Sequence, residues 1–341
     1  MIVIGVVMAA STGIIGASVV LMGMMSLPAM KAAGYDMRPA TGVVAASGTL
    51  GILIPPSIML IILGDQLRVP IGDLFMGAIW PGLILAGLYF GYLALVALLA
   101  PGRAPAPART ETLGAGAAAL ALLRDLAAPM LLILSVLGTI VAGVATPTES
   151  AAIGAFGATL LALVTGGLSF AAFRRAVYET TKTTAMIAFV MLGATVFSLA
   201  FRKLGGDAMA ADLFHFGDVS PYVTFAVIMA LVFVLGFFLD WVEITLAVIP
   251  IVAPIVAGLD FGMPADHVIL RFAIALAVNL QTSFLTPPFG YALFYLRGVD
   301  PSISIGTIYR GVTPFVLIQV AALALVIAVP SIVLHLPLAM R

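Results

Sequence analysis

The sequence predicts an all-α polytopic membrane protein, and three observations carry that prediction. Of 341 residues, 63% are hydrophobic and only 9% are charged, whereas soluble domains carry about 25% charged residues. The apolar residues run in stretches long enough to cross a bilayer as helices, which takes about 20 residues each. Two of those stretches are interrupted by adjacent prolines, Pro55-Pro56 and Pro287-Pro288.

The same composition excludes several functions. Formal net charge is zero, so no global positive field recruits nucleic acid. There are no cysteines, which removes disulfides and thiolate metal centres. His215, His267 and His335 lie far apart in sequence and offer no local ligand spacing for a transition metal. No Walker, zinc-protease or Ser-His-Asp pattern is visible, so the reading is neither a nucleotide-driven protein nor an enzyme.

Taken in order, the length rule predicts spans over 2–26, 74–100, 126–145, 148–167, 184–201, 221–239, 241–258 and 311–335. The N-terminal run has no charged lead and does not read as a secretory signal. The Pro- and Ala-rich stretch 100–116 is an expected extramembrane loop. The apolar stretches 40–64 and 268–297 are the two broken by Pro-Pro.

Laid on each other at their prolines, "SGTLGILIPPSIMLIILGD" (47–65) and "NLQTSFLTPPFGYALFYLR" (279–297) share one pattern. Small or polar residues come first, then a short apolar run, then Pro-Pro, then an apolar helix ending near a charge. Upstream, "STGIIGASVVLMGMMSLPAM" (11–30) and "FFLDWVEITLAVIPIVAPI" (237–255) are again alike. Pro-Pro removes two N–H donors and forbids a continuous helix. Freed carbonyls cost several kcal/mol in hydrocarbon unless protein or a wet cavity answers them. Matched breaks in two halves are the sequence pointer to a transporter with inverted repeats. The expected organisation is a first half, 1–168, with a re-entrant hairpin over 40–64. A connector, 169–183, follows, and then a second half, 184–341, with a hairpin over 268–297. Pro55, Pro56, Pro287 and Pro288 are the expected hairpin tips. The unwound carbonyls and nearby hydroxyls could hold a cation such as Na⁺.

Three other polar groups interrupt apolar runs. In "GVATPTESAAIG" (143–154), Thr146, Thr148 and Glu149 read either as a functional site at depth or as a helix N-cap with an acidic first turn. Asp240 and Glu243 are three apart and share a helix face, for cation coordination, a substrate pathway or an interfacial helix start beside Trp241. Arg271 and Arg297 flank the second break and are expected to snorkel to the interface.

Three of these segments together, 30–66, 143–155 and 279–299, resemble the large membrane subunit of tripartite ATP-independent periplasmic (TRAP) transporters, the DctM-like permease. The resemblance covers the chain in order. It implies an inner-membrane, multi-pass, elevator-type transporter in the lipid bilayer. Its partners would be a small DctQ-like membrane subunit and a periplasmic, DctP-like solute-binding protein delivering an organic acid. The coupling ion would be Na⁺, with no nucleotide. One Na⁺ site would involve Ser47, Gly48, Thr49 and Gly51, and another Gln281, Thr282, Ser283 and Thr286, with Thr146, Thr148 and Asp240 as neighbours. Glu149, Glu243 and Asn279 would line the substrate pathway. The family also has further helices before the point where this sequence starts, about 80–100 residues at the span length used above, so N-terminal helices are expected to be missing. A standalone Na⁺- or H⁺-coupled carboxylate or anion symporter of the same superfamily is the alternative.

Overall fold

A computed structural model of the chain describes residues 1–12, 15–105, 115–214 and 220–340. Among them every regular element is helical. Six helices are long and apolar enough to cross a membrane: Ile15–Ala32, Ile71–Leu99, Pro147–Val164, Phe170–Lys203, Ala265–Leu285 and Ile305–Ala328. The all-helical, multi-pass expectation therefore holds.

The helices run α1 (Ile2–Thr12), α2 (Ile15–Ala32), α3 (Met37–Thr49), α4 (Ile58–Leu67), α5 (Ile71–Leu99), α6 (Ala115–Val141), α7 (Pro147–Val164) and α8 (Phe170–Lys203). They continue with α9 (Gly206–Phe214), α10 (Pro221–Leu235), α11 (Trp241–Glu243), α12 (Ile249–Ala257), α13 (Ala265–Leu285), α14 (Tyr291–Val299), α15 (Ile305–Ala328) and α16 (Ser331–Ala339). By contact the chain forms two units, Met1–Ala108 with Gly205–Arg341, and Arg109–Leu204.

In the first unit the breaks fall where the prolines predict. Helix α3 tightens into a 3₁₀ turn at Leu50–Ile52 and stops before Pro55-Pro56. Ser57 then caps α4, its hydroxyl accepting from the Leu60 N–H. Helix α13 ends at Leu285, and α14 begins at Tyr291 after Pro287-Pro288. Both Pro-Pro bonds are cis. Some boundaries differ from the sequence reading. The predicted 311–335 span is divided, because Pro330, lacking an N–H, separates α15 from α16. The predicted 2–26 span is α1 and most of α2, with residues 13 and 14 outside the described set.

Helix α13 is the hub of this unit. From Leu270 to Leu285 every residue is buried, and it packs against α15, α10, α12 and α5. Lipid tails are as apolar as leucine, so helices in a bilayer gain little by hiding apolar surface and associate through close van der Waals packing of small residues. Helix α3, "MRPATGVVAASGT", is built for that, with Ala40–Thr49 all buried. It crosses α15 at two glycines. A Cβ on Gly42 would lie 2.2 Å from the Gly311 carbonyl oxygen, and one on Gly311 would lie 2.2 Å from the Arg38 carbonyl oxygen. Backbone meets backbone there, with no flexible side chain to yield.

The second unit contains α6, α7 and α8. Helices α6 and α7 pack on each other, and Gly157 of α7 admits Leu132 of α6, whose Cδ1 would sit 2.5 Å from an added Cβ. Helix α8 runs for 34 residues, roughly 51 Å at the α-helical rise, well beyond a ~30 Å hydrocarbon core. Its first turns contain the basic 173–184 segment.

The α3–α15 crossing yields a stability prediction. Gly311→Val should lower the stability of the detergent-solubilised protein by about 1–3 kcal/mol through overpacking, read as a lowered thermal unfolding midpoint. Gly91→Ala, at a position with open space around it, should leave the midpoint unchanged or slightly raised.

Candidate functional site

The first unit brings both broken segments into one packed region, with α13 in contact with α3, the 3₁₀ turn and α4. Each break answers part of its freed backbone with hydroxyls. The Ser57 hydroxyl donates to the Ile52 carbonyl at 2.6 Å. The Tyr309 hydroxyl donates to the Pro288 carbonyl at 2.9 Å, and Tyr291 to the Phe238 carbonyl at 3.3 Å. Without such donors these carbonyls would be stranded in an apolar medium.

The sequence-predicted residues around the breaks are largely buried. Ser47, Gly48, Thr49 and Gly51 are all inaccessible, as are Asn279, Gln281, Thr282 and Ser283, with Thr286 half-buried. The Thr282 hydroxyl donates to the Val278 carbonyl, Ser283 to Leu280 and Thr286 to Thr282. A hydroxyl that has given its proton to its own helix keeps its lone pairs free to accept. Asn279 donates to the Met229 carbonyl at 2.8 Å, tying α13 to α10. Gly236, at the end of α10, is packed on Ser283, whose Oγ would be 2.2 Å from an added Cβ.

Some buried oxygens at this locus have no partner at all. They are Ser47 Oγ, Thr245 Oγ1, Gln281 Oε1, Gln319 Oε1 and Glu243 Oε2. A buried polar group left unpaired costs about 1–3 kcal/mol, so these atoms mark where the protein leaves its own polar groups unmet. Gln281 Nε2 reaches Thr49 Oγ1 at 3.4 Å, linking the two broken segments directly. Thr245 sits in a π-helical turn, Ile244–Val248, between α11 and α12, a distortion frequent at functional sites. Asp240 caps α11 by accepting from the Trp241 N–H at 2.8 Å. It also lines a cleft of ≈ 140 Å³ with Ile15, Gly16, Trp241, Tyr291 and Tyr295. Among the described residues no group of three His, Cys, Asp or Glu could hold a metal ion. The oxygens gathered here come from hydroxyls, amides and one carboxylate, Glu243, all hard donors.

Thr146, Thr148 and Glu149 belong to the second unit. Thr146 and Glu149 form a reciprocal capping box at the start of α7, with the Glu149 carboxylate accepting from the Thr146 N–H at 2.7 Å. Thr148 and Glu149 are exposed, while the neighbouring Ser150 is buried on Thr139 at 2.9 Å. His215 and the Ser11 side chain lie outside the described residues.

Arg271 departs from the interfacial placement expected of it. Its side chain is buried among Tyr222, Phe225 and Phe261, with the guanidinium carbon 5.1–5.8 Å from the three ring centroids, and it donates to the Ile327 carbonyl near the end of α15. Aromatic faces and a helix C-terminus both attract a cation. Arg297, by contrast, donates to the Ile303 carbonyl at the following turn. Outside the spans, Lys31 reaches Asp300 at 3.4 Å and Ser302 at 2.8 Å, joining α2 to the α14–α15 turn. Hydrogen bonds from the Ser302 hydroxyl and N–H, with Lys31 adding, hold the Asp300 carboxyl below its usual range.

Sequence reasoning missed Thr245, Tyr89 and Gln319. The last two are lone polar side chains inside long apolar runs, which is the signal that could have marked them.

Apolar helices broken at matched prolines, with buried oxygens gathered at the breaks, define a membrane transport subunit rather than an enzyme. The sequence matches the model of the DctM component of tripartite ATP-independent periplasmic transporters over residues 1–332. A sialic acid TRAP transporter large permease protein of Vibrio cholerae is 30% identical over 327 residues, covering 93% of this chain and 71% of that protein. A C4-dicarboxylate TRAP transporter large permease of Pseudomonas aeruginosa is 29% identical, covering 96% of this chain and 74% of its own length. A 2,3-diketo-L-gulonate large permease of Escherichia coli is 28% identical, covering 97% and 75%. The chain belongs to the DctM family of TRAP transporter large permeases, multi-pass proteins of the bacterial inner membrane.

Two polar contacts give measurable consequences. Asn279→Leu keeps the number and branching of heavy atoms but removes the donor to Met229, and should lower stability by about 1 kcal/mol or more. Thr146→Ala should cost a similar ~1 kcal/mol by uncapping α7, and Thr146→Ser should restore most of it. Thermal midpoints of the purified variants check both.

Proposed function

We propose that this chain is the translocating subunit of a Na⁺-coupled TRAP system for an organic acid. In this reading both Pro-Pro segments are re-entrant hairpins, related as inverted repeats and carried on one moving body. That body shifts across the membrane like an elevator against fixed scaffold helices. A periplasmic binding protein delivers the substrate, and a small membrane subunit braces the large one. The observation that carries the reading is the set of buried, unpartnered oxygens at both breaks, above all Ser47 Oγ and Gln281 Oε1. An acceptor without a donor at membrane depth is a poor structural element and a good ligand for a desolvated Na⁺. Thr49, Thr282, Ser283 and Thr286 supply further lone pairs, as do the backbone carbonyls near Gly48 and Gly51. The cleft lined by Asp240, Tyr291 and Tyr295 opens onto the second break and is the proposed route of the substrate, with Glu243 beside it. The three relatives described above are named for carboxylates, which supports an organic acid as the cargo class here.

Reconstituted with its two partners, the complex should accumulate an organic acid only under an inward Na⁺ gradient. Uptake driven equally by ATP without Na⁺ would sink the mechanism. Ser47→Leu, Thr282→Leu and Thr286→Leu should each raise the Na⁺ concentration for half-maximal uptake by roughly tenfold or more, the scale of a lost bond to a charged partner. An unchanged Na⁺ response in all three removes the site assignment. The native chain has no cysteine, so single cysteines at Ile54 and Phe289 can report depth. Free labelling of either from bulk solvent in every transport state would contradict re-entrant hairpins.

A further inference from the structure

Helices α5 and α15 each bury one polar side chain on the locus between the two breaks. Tyr89 is wholly inaccessible and so is Gln319. Gln319 Nε2 donates to the Tyr89 hydroxyl at 2.7 Å, and the Gln281 side chain lies near the same hydroxyl. Gln281 in turn donates to Thr49, whose hydroxyl donates to the Ala46 carbonyl at 2.9 Å. The result is one buried polar chain, Gln319–Tyr89–Gln281–Thr49, crossing α15, α5, α13 and α3. Its amide nitrogens and the Thr49 hydroxyl are engaged. Its two amide oxygens, Gln319 Oε1 and Gln281 Oε1, are not.

That imbalance has a direction. An amide has two donor hydrogens and an acceptor oxygen, and here the protein meets the nitrogen of each amide and leaves the oxygen bare. Such a cluster attracts a positive charge and repels an anion. It contains no carboxylate, so it lacks the charge that holds a divalent ion, and its hard oxygen donors fit a monovalent one. The ring of Tyr89 is itself fixed, edge-to-face on Phe315 at 5.2 Å. Its hydroxyl is therefore a fixed stop against which the flexible Gln281 side chain rests.

We infer that Tyr89 and Gln319 are positioning residues for a monovalent cation. Gln319 fixes the Tyr89 hydroxyl, and that hydroxyl together with Thr49 holds the Gln281 amide so that its oxygen faces the ion. The inference rests on the Na⁺ reading above and adds to it a support that reaches from α5 and α15 to the second break. It makes ion affinity depend on helices that carry neither proline pair.

The test uses the purified 341-residue protein in detergent, titrated with NaCl against KCl at constant ionic strength. The readouts are thermal stability and the fluorescence of the two tryptophans, of which Trp241 adjoins Asp240. Tyr89→Phe keeps the ring and its contact with Phe315 and removes only the hydroxyl. It should raise the half-saturating Na⁺ concentration about two- to tenfold, the range expected for one lost hydrogen bond, with the amplitude at saturation kept. Gln319→Leu should give a shift of the same sign, and serves if Tyr89→Phe does not fold. A uniform loss of stability in both salts with an unchanged half-saturation would reduce the pair to packing and overturn the inference, leaving the Na⁺ reading intact. No Na⁺-specific response in the wild-type protein would overturn both.

Discussion

A peptide carbonyl released by a helix break must find another donor, and two proline pairs in an apolar helical protein make that demand twice. The rest of the first unit can be understood as the response. Helix α13 cannot continue past Thr286, and its residues up to Leu285 are buried within a helix that packs on α3, α10, α12 and α15. Hydroxyls then take up the work the missing helix would have done. Ser57 serves Ile52, Tyr309 serves Pro288 and Tyr291 serves Phe238. Ser57 acts locally on its own break, whereas Tyr309 reaches Pro288 from α15 and Tyr291 ties the second break to the end of α10.

The same enclosure explains the small residues. In a bilayer the helices gain little by hiding apolar surface from a solvent that is itself apolar. Cohesion must come from close approach, and α3 achieves it with Gly42 against Gly311 and Gly48 against Val19. These contacts leave no slack beside Ser47 and Thr49, which share the helix. Arg271 shows the other side of that economy. An arginine away from water is costly in a membrane helix, and here three aromatic rings and the Ile327 carbonyl offset that cost. Its charge is thereby fixed at the end of α15, the helix that also carries Gln319 and Gly311.

Much of this was legible in the sequence because it rests on local chemistry. Composition and run length revealed the membrane protein, Pro-Pro located both breaks, and Thr-Pro-Thr-Glu at 146–149 is the capping box that α7 has. What was not legible depends on rotation about helix axes and on long-range pairing. Nothing local says that Arg271 turns inward toward Tyr222 rather than out to the interface. Nothing local separates Gln281, whose amide oxygen is bare, from Asn279 two residues earlier, whose amide is engaged with Met229. Both lie in one polar run and differ only in which neighbour they meet. Tyr89 and Gln319 stand 230 residues apart, and only the folded chain makes them partners.

The distribution of charge across this region carries a physical argument of its own. The two acids near the breaks, Asp240 and Glu243, lie at the start of α11, and Asp240 lines the cleft with Tyr291. The interior positions, Ser47, Thr49, Gln281, Thr282 and Ser283, are all neutral. A carboxylate buried among them would hold a cation tightly, but it would leave an expensive uncompensated charge whenever the ion departs. Neutral oxygens hold the ion less tightly and cost far less when empty. On the proposed ion coupling, a site that must both take up and release its ion is better served by amides and hydroxyls, with carboxylate kept to few atoms; here one carboxylate oxygen, Glu243 Oε2, is buried without a partner.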